Sequence, residues 1–319
     1  MEGGISNMIQ NIGIIGVGGV GGYFGGKLCR SRENRQKVFF LARGPHLDAL
    51  RKDGLTVKTV SEGTFTCRPA LATDGLAELP ELDFCLVTVK GFDLEGVTRH
   101  LAERVSDTTV ILPLLNGIDI DARIRTLLPE TTILPGCAYI SARIEAPGIV
   151  TQTGGPCKII LGDDPRRPKT PKDEIQRLFD AAGINYEWVK DPLVKIWEKF
   201  LFIAPFSLVT ACFDKTIGEV ITSSELGGTV QAIMEEIVRL ADAMGISLPE
   251  GAVGTAFEKA RNFPPDTRTS FQGDFAKPDK NDEREIFGGS ILRLCEEKRI
   301  DCPATREILL RLNKIKPIL

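Results

Sequence analysis

The sequence predicts an α/β protein in which a doubly wound parallel sheet is followed by an all-α C-terminal domain. Its first half alternates apolar, strand-like runs with amphipathic helical segments, which is typical of a parallel sheet covered by helices on both faces. Beyond residue 190, apolar residues recur at helical spacing instead. A chain of 319 residues is also too long for one ordinary hydrophobic core. We therefore expect two domains, residues 1–190 and residues 191–319.

A glycine-rich turn follows the first predicted strand and precedes the first predicted helix. Its residues are Gly16, Val17, Gly18, Gly19, Val20 and Gly21. In such a Gly-x-Gly-x-x-Gly turn, the first glycine permits a tight bend and the second lets the backbone approach a pyrophosphate. The third lets the helix pack closely on the sheet, and the amides of the helix N-terminus face the phosphate charge. Because the motif lies between a strand and a helix, it predicts a Rossmann-type dinucleotide site rather than a simple packing turn.

The end of the second predicted strand indicates which dinucleotide binds. Residues 38–44 form this strand, and its end lies about 20 residues after Gly21, where the ribose-reading residue belongs. An acidic residue there would accept the ribose 2′-hydroxyl and repel a 2′-phosphate. The chain has Arg43 instead, whose planar guanidinium can bind a phosphate with two hydrogen bonds. A solvated arginine at a strand end is the alternative, but the pattern favours NADP(H) over NAD(H).

Two further polar residues follow predicted strands. Lys90 ends the apolar run 83–90, and Asn116 follows the run 109–115. Ligands of open α/β sheets bind outside the carboxyl ends of the strands. Each residue alone could be a solvated cap or part of a turn. Together with the glycine-rich turn and Arg43, however, they fall on one edge of one sheet, so we expect them to share a site.

A lysine at the start of a long apolar segment is the notable feature of the second domain. Asp191-Pro192 is a favourable helix start, with a capping residue and a proline at the first helical position. On that helix Lys199, Ile203 and Ser207 share one face. Partial burial of a lysine is costly unless an anion pairs with it, and a bound 2-oxo acid or a glutamate would serve. A snorkelling lysine is the alternative, and Lys195, one turn earlier, competes for the same role.

The rest of the second domain is expected to be mostly helical. Residues 217–244 and 285–312 carry apolar side chains at helical spacing, which predicts a long helix in each. Residues 262–282 are rich in Pro, Asp and Lys, which predicts a loop.

The composition argues against several classes of protein. A net charge of −3 gives no electrostatic reason to expect a nucleic acid or an anionic membrane as partner. The apolar stretch 200–213 is shorter than a membrane span. The eight cysteines are scattered singly, so we expect reduced thiols in a cytoplasmic protein, with neither disulfides nor a metal site. Of the two histidines, His46 follows the second strand and His100 lies in a charged helix. Neither is well placed to protonate a substrate held by the second domain.

The residues resemble the 2-dehydropantoate 2-reductase family, also called the ketopantoate reductase family, from residue 12 to about residue 312. The likeness depends on the order and spacing of short segments, which are Gly16–Gly21, 87–90, 115–117, 146–150, 197–200 and 269–274. This family, part of pantothenate biosynthesis, reduces a 2-oxo acid to a 2-hydroxy acid with NADPH, in a cleft between a Rossmann domain and a helical domain. The resemblance implies that Arg43 holds the 2′-phosphate, and that Lys90 and Asn116 line the nicotinamide and substrate pocket.

The resemblance also assigns roles in the second domain. Lys199 matches the family's general-acid lysine, which decides the choice against Lys195. Ser270 matches a serine that binds the substrate, and Glu283 matches the acid that pairs with the site, although the adjacent Asp282 competes for that match.

The sequence departs from the family pattern at two positions that are expected to contact the substrate. The family carries Asn one and two turns after the lysine, where this chain has Ile203 and Ser207. Ile203 offers no hydrogen bond, and such losses alter discrimination between substrates strongly. We therefore expect a 2-oxo acid that is ketopantoate or a close relative, with Ser207 in the substrate pocket. The alternatives are an opine-type dehydrogenase or a non-catalytic NADP(H) sensor. A homodimer formed through the helical domain is possible.

Overall fold

The computed structural model describes residues 9–31, 36–167 and 170–317, which fold into two compact units. The first unit comprises the chain up to Leu115 together with Ile120–Pro192. The second comprises Leu193 onwards together with Asn116–Asp119, so a four-residue segment of the second unit interrupts the first.

The first unit contains two sheets. In chain order its strands are β1 (Asn11–Ile15), β2 (Lys37–Leu41), β3 (Leu55–Thr59), β4 (Gly63–Cys67), β5 (Leu71–Thr73), β6 (Phe84–Val87), β7 (Val110–Pro113), β8 (Thr132–Ile133), β9 (Gly136–Ala146), β10 (Ile149–Leu161) and β11 (Asn185–Trp188). Its helices are α1 (Gly19–Arg30), α2 (Gly44–Asp53), α3 (Leu94–Leu101), α4 (Ile120–Leu127) and α5 (Lys172–Ala181).

The first sheet is parallel, with the strand order β5-β2-β1-β6-β7-β8. Strand β6 is buried along its whole length, which explains its uninterrupted apolar sequence. The chain leaves β1 to one side through β2 and β5 and then returns to its other side at β6. Such a reversal of strand order creates a crevice at the carboxyl ends of the strands. The predicted doubly wound sheet is therefore confirmed.

A second sheet, in the order β11-β10-β3-β4 with β9 also paired to β10, was not predicted. Its long hairpin β9–β10 turns at Gly148, whose φ is +74°. Between Leu55 and Thr73 the chain forms the antiparallel pair β3–β4 and then β5. Partly exposed strands such as β4 lack the apolar runs that indicate a buried strand in sequence.

The second unit is helical, as predicted. Its helices are α6 (Pro192–Phe213), α7 (Ile217–Thr222), α8 (Ser224–Ala243), α9 (Ala252–Arg261), α10 (Ser270–Phe275), α11 (Ser290–Lys298) and α12 (Pro303–Ile315). Helix α6 begins at Pro192, which confirms the predicted start. By length and composition alone α6 could cross a membrane, but 72% of its apolar window is buried inside the protein. It is the central core helix of this unit, with Trp197, Phe200 and Phe206 almost fully buried.

Three predictions about these helices were wrong in detail. The helix expected over residues 217–244 is broken at Ser223, whose side chain caps α8 by accepting a hydrogen bond from the Leu226 N–H at 3.2 Å. The loop expected over residues 262–282 contains α10. The helix expected over residues 285–312 consists of a π-helical turn (Glu285–Gly289), α11 and α12, interrupted at Arg299 with φ +57°.

The expectation that all cysteines are reduced was also wrong. A disulfide joins Cys295 in α11 to Cys302 just before α12, with Cα atoms 6.8 Å apart. The two residues are seven positions apart, a spacing that no short cysteine motif marks. The bridge therefore links two consecutive helices across the break at Arg299.

The interrupting segment Asn116–Asp119 is anchored in the second unit by two different contacts. The Ile118 side chain, 7% exposed, belongs to the apolar core of that unit. Next to it, the buried Asp119 carboxylate forms an ion pair with the Arg293 guanidinium on α11. Burial on its own would lower the pKa of Arg293, but Asp119, together with Glu285 and Glu297, more than offsets this effect and raises the pKa.

Candidate functional site

The glycine-rich turn is held between the ends of two strands. The Gly16 N–H donates to the Leu41 carbonyl at the end of β2, at 3.1 Å. From the other side, the Thr88 hydroxyl beyond β6 donates to the Gly16 carbonyl at 2.6 Å. Gly16 has φ +101°, and a Cβ there would lie only 2.8 Å from the Val89 nitrogen, so both conformation and space require glycine.

The next glycines differ in what surrounds them. A Cβ at Gly19 would overlap the Ala142 backbone, and one at Gly21 would overlap the Gly16 carbonyl and the Thr88 hydroxyl. Gly18, the residue before α1, would instead point a Cβ into open space, with no protein atom within 4 Å. The backbone is thus packed tightly on the protein side and left open at Gly18.

This arrangement fits a bound dinucleotide. Helix α1 is 12 residues long, and its first turn contains no acidic side chain that would repel a phosphate. The open face at Gly18 gives a pyrophosphate access to the backbone amides at the helix start. Val17 is buried beside this turn, whereas Gly19 and Val20 are half-buried in the first turn of α1. The predicted cofactor residues of the turn therefore form one continuous cradle.

Arg43 lies where the sequence predicted, two residues after the end of β2, but its guanidinium already has a partner. Its Nη2 is 2.5 Å from Asp93 Oδ2 and its Nη1 is 3.4 Å from Asp93 Oδ1. Asp93 closes a 3₁₀ turn (Gly91–Asp93) that begins directly after the exposed Lys90, beyond β6. The structure therefore places Arg43 and Lys90 at the carboxyl ends of β2 and β6, which flank β1 on its two sides. Sequence reasoning did not identify Asp93.

In the second unit, the structure brings together two of the predicted residues that are 83 positions apart in sequence. The Lys199 ammonium on α6 donates a hydrogen bond to Asn116 Oδ1 at 2.9 Å. Lys199 is half-buried. Its competitor Lys195 forms an ion pair with Glu198 at 2.9 Å on the same helix. Because the Asn116 amide is neutral, this hydrogen bond orients the Lys199 ammonium without cancelling its charge.

The remaining predicted substrate residues occupy different environments. Ser207 is 4% exposed and Ile203 is half-buried, both on α6. Ser270 is exposed at the first position of α10, directly after Thr269, which caps this helix. The Thr269 hydroxyl is also 3.0 Å from the Thr210 hydroxyl of α6, a contact that ties the start of α10 to that helix. A role of these side chains in substrate binding stays a prediction.

The two candidate acids before the π-helical turn also differ. Asp282 belongs to a buried ion cluster, with its carboxylate 2.7 Å from Arg284 and 3.2 Å from Lys316. Burial alone would raise the pKa of Asp282, but these cations hold it below its ordinary value. Glu283 is 4% exposed and lies two residues before the start of the π-helical turn, a kind of turn that is frequent at functional sites. Asp282 is thus engaged in that cluster, and a role of Glu283 at the site stays a prediction.

His46 in α2 contacts the turn between β9 and β10, a role that sequence reasoning missed. Its Nδ1 accepts a hydrogen bond from the Gly148 N–H in the β9–β10 turn at 3.0 Å. Its Nε2 is also buried. Burial lowers the pKa of His46, whereas the Val17 backbone opposes this shift. Burial therefore favours the neutral form of the imidazole in the folded protein.

His46 should consequently give the protein a specific dependence of stability on pH. Because its pKa is lower in the folded than in the unfolded chain, the unfolded state binds the proton first as the pH falls. We expect the free energy of unfolding of the wild type to fall relative to that of His46→Gln as the pH drops below about 6.5, by at most about 1.4 kcal/mol per pH unit. Chemical denaturation between about pH 7.5 and 5.5 measures it. Parallel curves for the two proteins would contradict a buried neutral histidine.

Comparison with known proteins agrees with this architecture. Residues 12–166 match the family described as Ketopantoate reductase PanE/ApbA, and residues 192–316 match its C-terminal family, Ketopantoate reductase PanE/ApbA C terminal. A 2-dehydropantoate 2-reductase from Nostoc sp. is 24% identical over 295 residues, covering 91% of this chain and 90% of that protein.

Solved structures show the same similarity. A 2-dehydropantoate 2-reductase from Porphyromonas gingivalis is 34% identical, with a TM-score of 0.78, covering 95% of this chain and 99% of the other. D-mandelate dehydrogenase in a ternary structure with NADH and anilino(oxo)acetate shares the fold, with 19% identity and a TM-score of 0.84, covering 96% and 98% of the two chains. The two family matches together span most of the sequence, and the chain therefore belongs to the ketopantoate reductase family of oxidoreductases.

Proposed function

We propose that this enzyme reduces a 2-oxo acid to the corresponding 2-hydroxy acid, with NADPH as hydride donor and Lys199 as proton donor. The observation that carries the proposal is the hydrogen bond of the half-buried Lys199 ammonium to Asn116 Oδ1 at 2.9 Å. It keeps a charged acid in a fixed position on a rigid core helix. A charge held in this way can stabilise the oxyanion that develops when a ketone accepts a hydride.

The proposed division of labour follows the two units. The glycine-rich turn and Arg43 of the first unit bind the cofactor, which when bound supplies a hydride to the ketone carbon. Lys199 donates a proton to the ketone oxygen, while Asn116 orients the ammonium. Ser270 and Ser207 bind the polar groups of the substrate. Glu283 is a second catalytic candidate, because a nearby carboxylate would favour the charged form of the lysine before the proton transfer.

The cofactor assignment predicts a selective effect at Arg43. Replacing Arg43 with alanine should weaken NADPH binding by about 10- to 100-fold, the range expected for lost hydrogen bonds between charged groups. NADH has no 2′-phosphate, so its affinity should change by less than about threefold. Titration calorimetry with both cofactors measures the two effects.

Arg99→Ala provides the matched control, because Arg99 is likewise an exposed arginine paired with a carboxylate, that of Glu95 on α3. It should leave both affinities close to those of wild type. An equal loss of NADPH and NADH affinity in Arg43→Ala would refute a 2′-phosphate role.

The substrate is proposed to be ketopantoate or a close relative. Ile203 and Ser207 replace the two asparagines of the family pattern, so the polar part of the pocket differs from that pattern. The test is the loss of reduced-nicotinamide absorbance with a panel of 2-oxo acids that includes ketopantoate. Turnover of ketopantoate would show that both replacements are tolerated. Turnover of a different 2-oxo acid alone would correct the substrate, and no turnover with any of them would refute the proposed reaction.

Two other functions are disfavoured. An opine-type dehydrogenase would use a histidine in its second domain, but both histidines of this chain, His46 and His100, precede that unit. A non-catalytic NADP(H) sensor has no need for a proton donor oriented as Lys199 is.

A further inference from the structure

The Arg43–Asp93 pair joins the two sides of the cofactor cradle. Strands β2 and β6 are the neighbours of β1 in the sheet. Arg43 follows β2, and Asp93 lies in the 3₁₀ turn beyond β6. Their ion pair therefore connects the carboxyl ends of the two strands that flank β1, the strand that leads into the glycine-rich turn.

The two partners differ in how firmly they are held. The Arg43 side chain is 73% exposed, whereas that of Asp93 is 21% exposed. The Asp93 backbone is fixed by the hydrogen bond from its N–H to the Lys90 carbonyl at 2.9 Å. The less exposed Asp93 carboxylate thus contacts the exposed guanidinium through both of its terminal nitrogens.

A 2′-phosphate would need the same guanidinium. Paired hydrogen bonds from an arginine fork suit a phosphate and a carboxylate equally well, so the two anions compete for one partner. NADH lacks this phosphate, and its binding leaves the Arg43–Asp93 pair undisturbed.

We propose that Asp93 is a specificity-determining residue that reduces the preference for NADPH over NADH by competing with the 2′-phosphate for Arg43. Dinucleotide sites that select NAD(H) commonly place an acid at the end of the second strand. In this chain the arginine occupies that place and the acid reaches it from beyond β6. The inference rests on the proposed role of Arg43 in cofactor binding.

Asp93→Asn tests the inference, because asparagine keeps the size of the side chain and removes its charge. We expect NADPH affinity to rise by about fivefold, a modest gain because the pair is partly exposed to solvent, and NADH affinity to change by less than about twofold. Titration calorimetry with each cofactor separates these effects from catalysis. Unchanged or weakened NADPH binding in Asp93→Asn would overturn the inference.

Two further variants make the test specific. Glu95→Gln removes one negative charge two positions away, from a residue that pairs with Arg99. It should give less than half of the gain in NADPH affinity that is expected for Asp93→Asn. In an Arg43→Ala background, Asp93→Asn should raise NADPH affinity by no more than Glu95→Gln does. If Arg43→Ala weakens NADPH selectively but Asp93→Asn has no effect, only the role of Asp93 is wrong. If Arg43→Ala shows no selectivity, the proposed cofactor role of Arg43 fails as well.

Discussion

Replacing Lys199 with alanine should lower kcat by about 10²- to 10⁴-fold, the usual contribution of a positioned general acid. The variant removes the ammonium that Asn116 holds at 2.9 Å, so the developing oxyanion loses both its stabilising charge and its proton source. Cofactor affinity should stay at the wild-type value, since the cradle belongs to the first unit. Steady-state kinetics with the best 2-oxo acid and titration with NADPH measure the two quantities.

Lys195→Ala is the matched control for this prediction. Lys195 lies one turn earlier on the same helix, is similarly half-buried, and pairs with Glu198 instead. It should retain kcat within about threefold, because loss of a partly exposed ion pair has little effect. Normal turnover in Lys199→Ala, or an equal loss in both variants, would remove Lys199 from the role of proton donor.

Alanine substitutions at two glycines of the same turn should have opposite consequences. Gly18→Ala should keep the stability of the wild type, because its Cβ meets no protein atom within 4 Å and its φ of −83° suits alanine. It should nevertheless weaken NADPH binding by about tenfold or more, because the methyl group occupies the face through which the pyrophosphate approaches. Gly21→Ala should destabilise the fold itself, by roughly 1–3 kcal/mol or more, because its Cβ overlaps Gly16 and Thr88.

Thermal unfolding without cofactor and NADPH titration separate the two effects. Gly96→Ala in α3 serves as the control, since its Cβ also meets no atom within 4 Å and lies in a different helix. It should preserve NADPH binding and raise stability slightly, because alanine is the better helix former. Unimpaired NADPH binding by Gly18→Ala would mean that the open face is not the cofactor site.

The sequence was informative about glycines and polar residues at the ends of buried strands. The glycine-rich turn, Arg43 and Lys90 could be placed because buried parallel strands are apolar runs whose ends are visible in the sequence. Lys199 became a candidate because a charge at the edge of an apolar helix has an energetic cost, and the family resemblance decided between it and Lys195. These features combine a local pattern with a simple physical rule.

The features that were missed depend on contacts distant in sequence. Asp93 is one acid among 43 acidic residues, and only the fold brings it to Arg43, 50 positions earlier. The acceptor role of His46 depends on Gly148, which is 102 residues away. The second sheet was missed because partly exposed strands give no continuous apolar signal, and the Cys295–Cys302 bridge because its spacing matches no short motif.

The position of Asn116–Asp119 has a consequence for how this enzyme could be divided or recombined. Because this segment belongs to the second unit but lies within the sequence of the first, the chain passes between the units three times rather than once. A fragment starting at Leu193 would lack Ile118 from its core and the carboxylate that pairs with Arg293. Exchange of helical halves between homologues at Pro192 alone would therefore create a mismatched core, and a functional chimaera has to carry residues 116–119 from the same parent as its C-terminal half.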